Sequence, residues 1–186
     1  MGDLHGMTEA MALFLVLDRA ASAAVAACGR YDPYEEIPKE ELIRSACYAR
    51  CSRYGTVFVE SSYTPNTRSE CDLWLSGTRR WRETWLEIKR AWAGPTWNNK
   101  PGEQGADWLF DIQKLADARQ GRRAFFLLSF INAEHERVLE PGYKAITSRL
   151  SSARGLEHVV GTSRPIEWGR SICQLQARLW WWKSGG

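Results

Sequence analysis

The first part of the chain repeats apolar and polar positions with the period of an α-helix. Residues 8–28 are rich in Ala and Leu, begin at Thr8, which suits an N-terminal cap, and stop before Gly29, which suits a C-terminal cap. Residues 31–38 contain two prolines and other residues that favour turns, and residues 39–54 again place apolar side chains at helical spacing. We therefore predict two helices, of which the second ends near Gly55.

After Gly55 the pattern changes to short runs of β-branched and aromatic residues, which are typical of strands. Three such runs, at residues 56–63, 71–77 and 82–92, are separated by turn-forming segments and predict an antiparallel meander. Residues 106–121 carry an apolar helical stripe, and residues 123–131 are almost continuously apolar, as expected for a strand buried on both faces. A helix and a central strand should follow the meander.

Beyond Asn132 the pattern is weaker. It predicts a helix at 143–153, a short strand at 156–161, and either an edge strand or a terminal helix at 171–182. The order of elements indicates an α/β or α+β fold with a mixed sheet flanked by helices. A length of 186 residues fits one domain, in which 1–38 form an extra N-terminal helix and linker packed on a core of residues 39–186.

Composition excludes little: 44% hydrophobic and 25% charged residues are ordinary for a soluble protein, and a net charge of +3 is too small to indicate nucleic-acid binding. The helix at 8–28 carries Asp18 and Arg19 in its middle and has no basic leader. We interpret it as a soluble helix rather than a signal peptide or a membrane span. We expect a cytoplasmic protein that does not bind membranes.

The cysteines are odd in number and scattered, unlike the paired framework of a small secreted domain. A zinc or iron–sulfur site is the alternative to buried free thiols, and its ligands would be Cys47, Cys51, Cys71 and Cys173. We favour buried thiols, because Cys is among the most buried residue types.

Three charged residues lie on two neighbouring predicted strands. Glu87 and Lys89 point to one face about 6.6 Å apart, while Ile88 points into the core. If the strands at 71–77 and 82–92 pair, Asp72 lies across from Glu87, and two carboxylates repel unless a divalent cation keeps both ionised. The pattern predicts a Mg²⁺ site, in which Mn²⁺ can substitute, formed by Asp72, Glu87 and the carbonyl of Ile88.

This arrangement resembles the PD-(D/E)XK nuclease superfamily, which has the restriction-endonuclease-like fold. The resemblance covers residues 39–131 and rests on Asp72, the triplet Glu87-Ile88-Lys89, and the order helix, three strands, helix, strand. Cys71 stands where many members have proline, and the motif is short, so the order of elements carries much of the resemblance. It implies that Asp72 and Glu87 bind the metal and that Lys89 assists the attacking water.

The resemblance also implies further site residues. The helix before the strands often supplies another carboxylate, for which we favour Glu41 over its neighbour Glu40, because sequence alone does not fix the helical phase. The helix after the triplet often carries a polar active-site residue; Gln113 and Lys114 lie in that region, and we include Gln113 in the catalytic set. The predicted catalytic set is Asp72, Glu87, Lys89, Glu41 and Gln113.

Basic and aromatic residues around these strands are candidates for nucleic-acid contacts. Arginine side chains bind backbone phosphates, and nucleic-acid bases stack on tryptophan rings. The phosphate candidates are Arg79, Arg80 and Arg82, with a second group at Arg119, Arg122 and Arg123, and the stacking candidates are Trp92 and Trp97. One strand or helix should not bury Trp180, Trp181 and Trp182 together, so we predict a homodimer that forms through this aromatic C-terminus.

The function that these residues predict is metal-dependent hydrolysis of phosphodiester bonds in DNA, by an endonuclease. The alternative is a catalytically silent module of the same fold that binds nucleic acid or a protein partner. The chain leaves room for no large recognition domain, so a protein partner that delivers the substrate is also expected. RNA or branched DNA as the substrate stays open.

Overall fold

The computed structural model describes residues 4–29, 39–62, 70–93, 101–118, 121–132, 139–152, 155–168 and 171–183. These residues form α1 (Leu4–Gly29), α2 (Glu40–Cys51), β1 (Val57–Ser62), β2 (Glu70–Leu75), β3 (Thr84–Ala93), α3 (Pro101–Ala116), β4 (Arg122–Asn132), α4 (Glu140–Ser152), β5 (Leu156–Trp168) and β6 (Ser171–Lys183).

The strands form one mixed sheet in the order β1-β2-β3-β4-β6-β5. The predicted antiparallel meander is β1, β2 and β3. Strands β3 and β4 are parallel, and α3 provides the crossover that parallel neighbours need. Strand β6 is antiparallel to both β4 and β5. The predicted mixed sheet flanked by helices is therefore confirmed.

Helices cover both faces of the sheet, and the alternation of side chains along β4 divides the core into two layers. Phe126, Leu128 and Phe130 lie in the layer under α1 and α2, and Phe125 and Leu127 lie in the layer under α3 and α4. Residues 122–131 are all buried, as predicted for a central strand.

The C-terminal region differs from its prediction. Residues 171–182 form an inner strand, β6, rather than an edge strand or a helix, and the strand at 156–161 continues to Trp168 as the edge strand β5. The second half of β5 is largely exposed. It therefore has no apolar pattern from which its length, or the inner position of β6, could be predicted.

The expectation that the three C-terminal tryptophans cannot all be buried is wrong. Trp180, Trp181 and Trp182 are 0%, 0% and 3% exposed. Because β6 is an inner strand covered by helices on both faces, Trp181 fits into one layer and its two neighbours into the other. These rings are buried and therefore offer no surface to a second chain. A homodimer stays a prediction, but these tryptophans do not form its interface.

Helix α1 packs against α2, β5 and β6 and contributes Leu13, Phe14 and Leu17 to the core. The segment Thr8–Cys28 is by length and composition apolar enough to cross a membrane, but this is weak evidence for a membrane span, because a buried core helix or an N-terminal signal sequence meets the same criteria. Asp18 is paired here with Arg164 of β5 through contacts of 2.9 and 3.1 Å. The cytoplasmic location stays a prediction.

Candidate active site

The candidate site lies where β2 and β3 separate. Their register runs from Leu75 opposite Thr84 to Leu73 opposite Leu86, and Asp72 and Glu87 are the next residues on the two strands. At this point a side chain replaces the backbone ladder, because Asp72 Oδ2 accepts a hydrogen bond of 2.7 Å from the backbone N–H of Ile88. The proximity of the two strands at Asp72 and the burial of Ile88 in the core agree with the sequence prediction.

Strand β1 is distorted opposite Asp72. Glu60 has a φ of 51°, a left-handed conformation that costs a residue with a Cβ about 1–2 kcal/mol. It lies between the register pairs that flank Asp72, and its carboxylate is 3.5 Å from Arg44. Arg44 also donates to Asp72 Oδ1 at 3.2 Å. Backbone strain of this kind is concentrated at functional sites in proteins.

Lys89 joins three elements. Its Nζ lies 3.3 Å from Glu40 of α2, 3.2 Å from Asp111 of α3, and 3.8 Å from Glu87 on its own strand. Glu40 also accepts from the backbone N–H of Arg90 at 3.4 Å. The ammonium therefore lies between two helices at the edge of the strand opening.

Glu87 is at the bottom of the site, and its carboxylate lies between two lysines. The residue is 1% exposed. Lys114 of α3 approaches its second oxygen at 3.7 Å and is 2.6 Å from Asp111. A carboxylate this deeply buried needs positive charge nearby to remain ionised.

Charge compensation in the described part of the site is incomplete. Four carboxylates, those of Glu40, Asp72, Glu87 and Asp111, surround the three cations Lys89, Lys114 and Arg44. Burial raises the pKa of Glu40, and the Asp72 carboxylate adds to this, against the opposing effect of Lys89. Burial alone would lower the pKa of Lys89, but the four carboxylates together raise it above its ordinary value. The described cluster therefore contains one more carboxylate than it contains lysines and arginines.

Two helix residues that we predicted to lie in the site are outside it, and other residues of the same helices lie there instead. Glu41 is exposed, and Glu40 is the residue that contacts Lys89, because consecutive helical residues point about 100° apart. Gln113 is also exposed and accepts a hydrogen bond of 2.9 Å from Arg149 of α4, on the outer surface. The predictions of Glu41 and Gln113 as residues of this cluster are wrong for this geometry.

Sequence reasoning did not name Asp111 as a site residue. The apolar stripe of α3 contains Trp108, Ile112 and Leu115, and Asp111 falls on the same buried face. Lys114 follows one turn later and pairs with it. A charged residue inside an apolar helical stripe is the signal that could have identified Asp111.

The predicted phosphate contacts lie at the far end of the strands. Arg79, Arg80 and Arg82 are exposed in the connection between β2 and β3. Arg80 lies over the ring of Tyr54 at 4.6 Å, and Arg82 is 3.4 Å from Glu9. Thr84, where β3 begins, is five residues from Lys89, which corresponds to about 16 Å. These arginines do not touch the cluster, and their contact with phosphate stays a prediction.

The remaining nucleic-acid candidates divide into buried residues and residues outside the described part of the chain. Arg122 and Arg123 are buried, the first paired with Glu157 at 2.7 Å and the second donating to carbonyls at the end of α3, so neither offers a phosphate contact. Arg119 and Trp97 lie outside the described residues, as does the side chain of Trp92, whose backbone pairs with Phe130.

Four of the five free cysteines are buried, as predicted. Burial raises the pKa of both Cys51 and Cys71 to about 12. Across the described residues, no group of three or more His, Cys, Asp or Glu side chains is placed to hold a metal ion. The structure therefore does not support the alternative zinc or iron–sulfur site among the described residues.

The donor set at Asp72 and Glu87 nevertheless fits Mg²⁺. This ion is commonly held by only one or two carboxylates, with water and substrate oxygens completing the shell. The neighbouring excess of carboxylates and the all-oxygen chemistry agree with that preference, and Mn²⁺ accepts the same ligands. Comparisons of the chain with family models, with curated proteins and with solved structures gave no match.

Proposed function

We propose that this protein is a metal-dependent nuclease with a restriction-endonuclease-like fold, acting on DNA as an endonuclease. The observation that supports this most strongly is the convergence of Asp72, Glu87 and Lys89 where β2 and β3 separate. The order α2, β1, β2, β3, α3, β4 is the one on which the resemblance to the PD-(D/E)XK superfamily rests.

In this proposal Asp72 and Glu87 hold Mg²⁺, with the carbonyl of Ile88 as a third oxygen. Bound Mg²⁺ would supply Lewis-acid polarisation of the scissile phosphodiester. Lys89 donates hydrogen bonds that orient the attacking water and offsets negative charge that develops on the phosphate. Arg44 and the backbone N–H of Ile88 fix the orientation of the Asp72 carboxylate, and Glu40 and Asp111 position the Lys89 ammonium.

A catalytically silent module of the same fold is the second candidate. It is favoured by one observation: each carboxylate of the described cluster already lies within 4 Å of a lysine or an arginine. Ion-pair networks of this kind can be purely structural. Such a module would bind nucleic acid or a protein partner without cutting.

A cleavage assay separates the two candidates. Supercoiled plasmid, linear duplex and single-stranded DNA, with an RNA of the same sequence, are incubated with the parent chain and with Lys89→Ala in Mg²⁺, Mn²⁺ or EDTA. The nuclease proposal predicts cutting that needs a divalent cation and is lost in Lys89→Ala. A folded parent that cuts none of these substrates and whose melting temperature does not rise with Mg²⁺ or Mn²⁺ would favour the silent module, whereas a parent that binds the metal without cutting would indicate a missing partner.

A further inference from the structure

A second charged region lies away from the candidate active site, in a groove between α1 and α2. The groove has a volume of about 350 Å³. Its floor consists of alanines from both helices, and three arginines line it: Arg19 of α1, Arg50 of α2, and Arg53 just after α2. Small side chains on both helices leave space in which a ligand group can approach the helix backbones.

The three guanidinium groups are not neutralised by the described part of the chain. Within the described residues, none of the three forms an ion pair with a carboxylate, and the buried Nε of Arg50 has no hydrogen-bond partner. The C-terminal end of α2 attracts basic residues through the helix dipole, which accounts for Arg50 and Arg53. It does not account for Arg19, which lies in the middle of α1. Three like charges around one groove favour an anion between them.

The groove adjoins the basic connection between β2 and β3. Arg53 is followed by Tyr54, and Arg80 lies over the Tyr54 ring at 4.6 Å. Arg79 is also exposed in that connection. Guanidinium groups bind phosphate oxygens with two parallel hydrogen bonds, and a row of them can follow a phosphate backbone. The exposed arginines therefore extend from the groove to the connection between β2 and β3.

We propose that this groove binds a backbone phosphate of a nucleic-acid strand, at a site separate from the one that cuts it. The choice of nucleic acid rests on the proposed function. Arg50 is ten residues from Glu40 on α2, which is about 15 Å along the helix, or roughly four base steps of a duplex. A strand that reaches both sites must therefore extend several nucleotides beyond the scissile bond.

Binding is measured separately from cutting, by fluorescence anisotropy of labelled single-stranded and duplex DNA in EDTA over a range of salt concentrations. The double variant Arg50→Ala/Arg53→Ala should bind at least 10-fold more weakly. Its slope of log affinity against log salt should be shallower by about 0.7–0.9, because the one phosphate contact in the groove is lost. Arg50→Lys/Arg53→Lys should recover part of the affinity, and Arg149→Ala, an exposed arginine on α4, is the matched control and should change neither quantity.

Arg19→Glu, on the other wall, provides a second variant at an exposed position and should weaken binding in the same way. Unchanged affinity and salt slope in both variants would overturn the proposal. A melting-temperature rise with inorganic pyrophosphate that these variants lose, without a change in DNA affinity, would also overturn it and assign the groove to small phosphorylated ligands. Groove-dependent DNA binding by a parent that does not cut DNA would contradict only the nuclease proposal.

Discussion

Glu40 and Glu41 show that the direction in which a single side chain points determines whether it belongs to the site. The two side chains have the same chemistry, but they leave α2 about 100° apart, and Glu40 is the one that reaches Lys89. In β3 the period is two, so the sequence could predict that Glu87 and Lys89 share a face and that Ile88 is buried. Strand positions were therefore predictable to the residue, whereas helix positions depended on a phase that only the packing of α2 fixes.

Burial of the thiols leads to a prediction about their reactivity. Cys47, Cys51, Cys71 and Cys173 are buried, and Cys28 is half-buried. A thiol reagent at pH 8 should therefore modify Cys28 first in the folded protein, and all five cysteines in urea, as counted by mass spectrometry. Fast modification of Cys51 or Cys71 in the folded protein would contradict their described environment.

The same thiols predict a loss of stability in alkali. Burial raises the pKa of Cys51 and Cys71 from 9.0 to about 12 in the folded chain. Each thiol stays neutral there while the unfolded chain ionises, so its contribution is fully present below pH 9 and is lost as the pH rises from 9 towards 12. Urea unfolding at pH 8 and pH 10 should show this decrease, and Cys51→Ala should reduce its pH dependence.

At the scale of elements, α3 positions Asp111 and Lys114, and the end of this helix is fixed by a buried arginine. Arg123 donates to the carbonyl of Leu115 at 2.7 Å and to that of Ala118. Arg123→Met keeps the apolar stem but leaves these carbonyls without that donor. We expect the free energy of unfolding to fall by roughly 2–3 kcal/mol, as measured by urea denaturation.

Arg149→Met is the matched control for this helix-end contact, because Arg149 is exposed on α4. Its free energy of unfolding should change by less than about 0.5 kcal/mol. An equally small change in Arg123→Met would show that the arginine does not stabilise the end of α3.

The sequence predicted most elements between α1 and β4 because their periods are regular and their ends carry Gly and Pro. It did not predict the inner position of β6 or the full length of β5. Residues 161–167 of β5 are mostly exposed at the sheet edge, so they are polar without alternation. The pairing of β5 with β6 depends on contacts between strands rather than on a local pattern.

For the whole molecule, the main structural question is whether α1 is an appendage or part of the core. Leu13, Phe14 and Leu17 share one apolar layer with Phe126 and Trp181. A chain that begins at Lys39 should therefore expose this layer, lose cooperative thermal unfolding by circular dichroism, and bind a hydrophobic dye. Cooperative unfolding at the parent's melting temperature would show instead that residues 39–186 fold alone.

The central claim is that the charged cluster at the opening between β2 and β3 is a metal-dependent hydrolytic site. Asp72→Asn tests it most directly, because the amide oxygen can still accept the N–H of Ile88 while the negative charge is removed. The measurement is the Mg²⁺-dependent rate of DNA cleavage by the parent and by Asp72→Asn. The control is Glu41→Gln, which removes an exposed carboxylate next to Glu40 on α2. We predict a loss of at least about 100-fold in Asp72→Asn and parental activity in Glu41→Gln. Cleavage by folded Asp72→Asn at the parental rate would contradict the claim.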